Sequence, residues 1–199
     1  MKGVGFFICE KFDTLQPETI IALMNLRNGY CAVSIYNIHS EVILFALLHI
    51  IISKNHKMTA SIGGYLAKEV LASSRKNAFV IALHGDLGSG KTTFTKGFIK
   101  GLSIRERVQS PTFILMKRFL IPKKKKSQFL RAIHIDCYRL KGSVGAEKIG
   151  IKDDCKNPKN IILIEWAERM KKLIPKDHLS ISFDHVSKNE RKITIQKNI

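Results

Sequence analysis

A chain of 199 residues that is 45% hydrophobic can build one ordinary domain with a sizeable core, and nothing in it suggests two full ones. Lys and Arg number 34 against 16 Asp and Glu, and the resulting formal charge of +18 favours acidic partners such as RNA, nucleotides or an acidic protein surface, although a lysine-rich proteome accounts for it equally well. Cys9, Cys31, Cys137 and Cys155 are widely spaced with no C-x-x-C pair, which argues against a disulfide framework or zinc site and for a reducing, cytoplasmic setting.

The head of the chain is the least informative part. Gly3 to Phe12 is apolar but lacks the basic start and small-residue cleavage site of a signal peptide. The most apolar run, Val42 to Ile52, is about half the ~20 residues that span a bilayer, and His49 interrupts it. A buried strand or short helix is expected there rather than a membrane anchor. Residues 1–48 carry no motif and are expected to be an N-terminal extension of uncertain order or an over-long gene start, with Met24 and Met58 as alternative starts. Residues 49–199 are expected to form the working domain.

Ile50 to Ser53 reads as a short strand. Thr59 to Ala72 then places Ile62, Leu66, Val70 and Leu71 on one helical face, with Gly63 and Gly64 weakening the helix. After a polar turn, Phe79 to His84 is an apolar strand. It leads into Gly85-Asp86-Leu87-Gly88-Ser89-Gly90-Lys91-Thr92, which matches G-x-x-x-x-G-K-[ST] at every required position, and a helical pattern follows through Phe94, Phe98, Ile99 and Leu102. Strand, glycine loop and helix in that order make a P-loop. Glycines allow the backbone to approach phosphate oxygens, and successive N–H groups form an anion-binding nest at the positive end of the helix. Lys91 brings a cation to the outer phosphates, and the Thr92 hydroxyl is the expected Mg²⁺ ligand.

Beyond Gly101 comes a basic loop with Arg105 and Arg107, then Ser110-Pro111-Thr112-Phe113 and an apolar strand, Ile114 to Ile121. Pro122 to Gln128, with four lysines, reads as a solvated hairpin tip or as an RNA or partner contact. Two later strands end in acids: Phe129 to Ile135 delivers Asp136, and Ile161 to Ile164 delivers Glu165. A buried strand with an acid at its C-terminal edge is how α/β nucleotide-binding folds bring a carboxylate to the phosphates. Glu165 is therefore the expected Mg²⁺-holding carboxylate, and Asp136 a second one that positions water or metal. Either acid alone is equally an ordinary strand-end charge. His134 is expected to be a packed imidazole rather than a catalyst, and Trp166 either a lid over the site or a core residue. Leu179 to Phe183 and Ile193 to Ile195 read as a final pair of alternating strands, with Arg191 a solvated charge by default.

Taken together, HGDLGSGKTTFTKGF, SPTF, HIDCYRL and LIEWAER make the chain from about Ile50 onward resemble the TsaE (YjeE) family of small bacterial P-loop ATPases, which serve threonylcarbamoyladenosine modification of tRNA. The resemblance implies a single α/β P-loop NTPase domain with a mixed sheet flanked by helices. ATP would lie on Asp86, Leu87, Gly88, Ser89, Gly90, Lys91, Thr92 and Thr93, with Mg²⁺ held by Thr92 and Glu165. Asp136 falls on the family's functional acid, Ser110 to Thr112 on a switch-like loop, and Arg191 near a basic residue beside the nucleotide. The family's weak ATPase activity supports turnover of the TsaD–TsaB transferase, so the implied partners are those two proteins, with tRNA reached indirectly. This chain departs from the family at Ser89, where Ala is usual, at Cys137, and in Lys141 to Gly145.

Three other functions fit the chain less well. A small kinase would show an acceptor region and an Arg-rich lid, and neither is evident between Arg118 and Ser187. A GTPase would carry N-K-x-D, whereas Asn157-Pro158-Lys159-Asn160 lacks the acid that reads guanine. A basic phosphate-gripping nucleic-acid module would interleave aromatics with its cations, and this chain does not.

Overall fold

The computed structural model describes residues 7–8, 19–26, 29–36, 48–106, 115–123, 127–140 and 150–198, with side chains from residue 50 onward. Near the N-terminus, β1 (Phe7–Ile8), β2 (Thr19–Leu26) and β3 (Gly29–Tyr36) form a three-stranded antiparallel sheet. The remainder is built on a seven-stranded mixed sheet. Its strands are β4 (Leu48–Ser53), β5 (Phe79–Gly85), β6 (Met116–Leu120), β7 (Arg131–Asp136), β8 (Asn160–Glu165), β9 (His178–His185) and β10 (Arg191–Asn198), in the order β4-β10-β9-β5-β8-β7-β6. The α/β architecture with a mixed sheet agrees with the expected fold class.

Sequence chemistry sorts the strands by position. β8 is buried at every position and β5 at all but its last two, as central strands covered on both faces must be. They pair in parallel with each other, and β5 also runs parallel to β9 and β8 to β7. β9 instead alternates buried and half-buried residues, and its partner β10 is antiparallel and in turn pairs antiparallel with β4.

Among the described residues, three helices cover the sheet: α1 (His56–Ala72), α2 (Lys91–Gly101) and α3 (Ile151–Lys156). On one face, α1 and α2 close a core containing Ile62, Leu66, Val70, Phe94, Phe98, Ile81, Leu83, Ile181 and Phe183. On the other, α3 and a 3₁₀ turn at Ala167–Met170 cover Val80, Ile133, Ile135, Ile162 and Ile164.

Several boundaries differ from the sequence reading. α1 begins at His56 rather than Thr59 because the Asn55 side chain caps it, accepting from the Met58 N–H at 2.9 Å. The last two strands extend across residues read as a loop: Asp184 pairs with Lys192 in register, their charges 3.3 Å apart. The short helix α3 is an element that the sequence reading did not identify. Ser110 to Thr112, Lys124 to Lys126 and Lys141 to Gly145 lie outside the described residues.

The glycines of α1, read as a weakness, are the contact. A Cβ on Gly97 would lie 1.9 Å from the Ala60 carbonyl oxygen, and one on Gly63 would lie 2.3 Å from that of Phe94. The two helix backbones touch where no side chain fits. Gly97→Ala is therefore expected to lower stability by about 2–3 kcal/mol through overpacking, measured by urea denaturation. An unchanged midpoint would show that the helices separate freely.

Cys137, just past β7, and Cys155, on the buried side of α3, are free thiols, and burial first, with a nearby carboxylate second, pushes them up to about 12 and about 11. Below the ordinary thiol value of 9.0, folded and unfolded chains both keep these protons. Above it the unfolded thiols ionise first, so stability falls as pH rises towards 11, by up to about 1.4 kcal/mol per unit and thiol. Denaturation at pH 8 and pH ~10.5 should show this decline, and Cys137→Ala with Cys155→Ala should flatten it.

Candidate nucleotide site

The candidate site lies at the C-terminal edge of the parallel strands, where open α/β sheets place ligands. β5 runs into the glycine loop and α2 starts directly behind it. Gly88 has φ +75° and Gly90, the residue capping α2, φ +109°. Both are left-handed conformations that side chains resist, so the loop's path depends on glycine. Asp86, Leu87 and Gly88 are exposed, with Leu87 75% accessible, whereas Ser89 is buried and its hydroxyl has no hydrogen-bond partner. Thr93 is half-buried on the first turn of α2.

Lys91 is 4% accessible, and its Nζ donates to the carbonyls of Gly85 at 2.6 Å and Asp86 at 2.9 Å. The ammonium also sits 3.9 Å from the centre of the Trp166 ring. Burial pushes the Lys91 ammonium below the ordinary lysine value, while the Glu165, Glu168, Asp136 and Asp86 carboxylates pull the other way. Trp166 itself takes φ +58° and packs on Tyr138 at 5.1 Å between ring centres. It covers the lysine.

Asp136 and Glu165 end adjacent parallel strands at paired register positions. Glu165 is 1% accessible and Asp136 3%. The Thr92 hydroxyl donates to Glu165 Oε2 at 2.6 Å, joining the first residues of α2 to the end of β8. Asp136 Oδ1 accepts from the Tyr138 N–H at 3.0 Å. Arg191 reaches the loop from β10, its guanidinium donating to the Gly88 carbonyl at 3.2 Å and to carbonyls of Ser187 and Glu190. Every expected site residue from Asp86 to Thr93, with Asp136, Glu165 and Arg191, thus stands on one rim. Arg191 is an anchored charge rather than a solvated one.

The sequence reading missed His134's part in this rim. The residue is fully buried, as a packed imidazole would be, yet its Nε2 lies 2.8 Å from Glu165 Oε1 while Nδ1 has no partner. A hydrogen on Nε2 satisfies the carboxylate and leaves only a lone pair unpaired on Nδ1. The clue in the sequence was spacing, since His134 and Asp136 stand two apart on one strand and share a face.

The donor chemistry suits a nucleotide phosphate and a hard divalent cation. No cluster of three or more His, Cys, Asp or Glu able to hold a metal occurs among the described residues. A hydroxyl and one carboxylate, completed by phosphate and water, is the sparse oxygen set that Mg²⁺ accepts and that Zn²⁺ does not favour.

A strand–glycine loop–helix unit with a strand-end carboxylate bonded to the loop threonine defines a P-loop nucleotide-binding domain. The family model described as "Threonylcarbamoyl adenosine biosynthesis protein TsaE" matches residues 53–193, and the chain belongs to that family. The tRNA threonylcarbamoyladenosine biosynthesis protein TsaE of Bacillus subtilis is 36% identical over 126 residues, covering 63% of this chain and 74% of the relative. That of Aquifex aeolicus is 35% identical over 135 residues, covering 67% and 88%. The crystal structure of Bacillus subtilis YdiB superposes with a TM-score of 0.58 at 28% identity, covering 76% of this chain and 86% of that one.

His134→Ala would leave Glu165 Oε1 buried without its donor, at a cost of about 1–3 kcal/mol beyond any cavity. His134→Gln, which can supply an N–H, should recover part of that loss in urea denaturation. Equal stability of the two variants would show that the imidazole merely fills space.

Proposed function

We propose that this chain is the ATP-binding, slowly ATP-hydrolysing component of the bacterial system that makes threonylcarbamoyladenosine in tRNA, and that it supports turnover of a TsaD–TsaB transferase. The observation that carries this reading is the Thr92–Glu165 contact at 2.6 Å beside the glycine loop. Family membership supplies the pathway.

In this reading the loop from Asp86 to Thr93 binds the phosphates through backbone N–H groups, and Lys91 adds the cation. Thr92 Oγ1 and Glu165 hold Mg²⁺, which when bound offsets phosphate charge and orients the phosphate chain. His134 keeps one Glu165 oxygen occupied so that the other faces Thr92. Asp136, fixed beside Glu165, orients the attacking water. Arg191 braces the loop through the Gly88 carbonyl.

Residues 49–199 are the proposed working unit and 1–48 an extension; the family match beginning at residue 53 supports that division. The buried free thiols support a reducing, cytoplasmic setting. No helix among the described residues is long and apolar enough to cross a membrane.

Lys91→Ala should lower ATP affinity at least tenfold, about 1.4 kcal/mol, with the fold intact by circular dichroism. Glu165→Ala should remove the Mg²⁺ dependence of that affinity. Wild-type protein should raise multiple-turnover tRNA modification by TsaD–TsaB, and neither variant should. A chain that hydrolyses ATP yet never stimulates that system would refute the pathway reading.

A further inference from the structure

The sheet has a second chemically distinctive end. Opposite the glycine loop, where the chain enters β5, a cleft of about 710 Å³ opens between the 74–78 segment, the end of α3 and the 172–177 turn. Arg75, Lys76, Lys152, Lys156 and Lys172 line it against a single carboxylate, Asp177. That carboxylate is already engaged, 2.6 Å from the Arg75 guanidinium. Lys76 and Lys172 are exposed, and Lys156 has only a loose, exposed pairing with Asp153 at 3.7 Å.

The walls are held in place. The Ala78 N–H donates to the Cys155 carbonyl at 3.0 Å, tying the β5 entry to α3. Gln128 fixes the other wall, accepting from the Arg75 N–H at 3.1 Å and donating to its carbonyl at 3.0 Å. The floor is Ala78, Cys155 and Leu173. A preformed cleft with an apolar floor and a basic rim suits a phosphodiester backbone. It contains no aromatic ring on which a base could stack, so contact would run through phosphates and be indifferent to sequence.

We propose that this cleft binds RNA backbone phosphates, as a site separate from the nucleotide loop. The two are separated by the length of β5, roughly 20 Å at the usual rise per residue. A polyanion here and a nucleotide there could be held together. The choice of RNA over an acidic protein rests on the proposed role in tRNA modification.

The test is binding of an unmodified tRNA transcript to the full chain, by fluorescence anisotropy across a salt series. The triple variant Lys76→Glu, Lys156→Glu, Lys172→Glu should bind at least tenfold more weakly. Its slope of log affinity against log salt should be shallower by about 2–3, one counterion term per lost contact. Lys57→Glu, Lys96→Glu, Lys100→Glu makes the same charge change on the exposed side of α1 and α2 and should cost less than threefold. Should charge reversal disturb folding, the corresponding Lys→Gln triple should show the same change in slope. Equal losses in the two reversal variants would reduce the effect to diffuse charge and overturn the cleft, as would an unchanged slope or no tRNA binding by the wild type. ATP affinity measured on the same samples separates this from the nucleotide reading. ATP binding with cleft-independent tRNA binding sinks only the cleft; cleft-dependent tRNA binding without ATP binding sinks only the nucleotide role.

Discussion

Glu165 is a carboxylate buried at the end of a wholly buried strand, and the candidate site is arranged to make that tolerable. An unpaired charge at such a position costs several kcal/mol. Here one oxygen accepts from Thr92 on α2 and the other lies against His134 on β7. The three elements that meet at the rim are thereby joined through one side chain. Removing either partner disturbs both the fold and the relation between glycine loop and carboxylate, which is why the residues of this rim cannot be divided into structural and functional sets.

The α1–α2 contact supplies the other constraint. Gly97 lets α2 lie against the α1 backbone, and α2 carries Lys91 and Thr92 at its start. The angle at which the loop threonine meets β8 is therefore set partly by a helix crossing on the far side of the core. At the opposite edge of the same strands, the Ala78–Cys155 bond closes the β5 entry against α3. β5 runs between the two ends, bonded on both sides by parallel strands, so each end is presented on a stiff support.

The central strands were legible because burial on both faces leaves continuous apolar runs, and the glycine loop because its chemistry allows few substitutes. Asp136 and Glu165 were legible as acids that follow such runs. Other features were hidden for physical reasons. Gly63 and Gly64 signal a poor helix to any propensity scale, and the partner backbone that needs them is some thirty residues away in sequence. α3 has only six residues, too few for a helical period to register. Gly29 opens β3 and pairs with Leu26 at the end of β2, and the sequence dipeptide Asn28-Gly29 is a short hairpin signal in a segment without chemical motifs. His134 looked like core because it is core, and its second role depends on a carboxylate 31 positions later. Arg191 looked solvated because the loop carbonyl it grips lies 103 positions earlier.

Lys91 shows how such a site keeps itself ordered. A buried ammonium needs acceptors, and the Gly85 and Asp86 carbonyls with the Trp166 face provide them from within the loop. The same contacts hold the loop's entrance closed around the lysine and fix Trp166 above it. A phosphate that recruits this cation must compete with carbonyls it already satisfies, so part of the binding energy is spent on exchange rather than on new contact. Burial lowers the lysine's proton affinity, and the surrounding Glu165, Glu168, Asp136 and Asp86 carboxylates oppose that lowering. The interactions that stabilise the loop by itself therefore also limit how tightly it can hold a nucleotide.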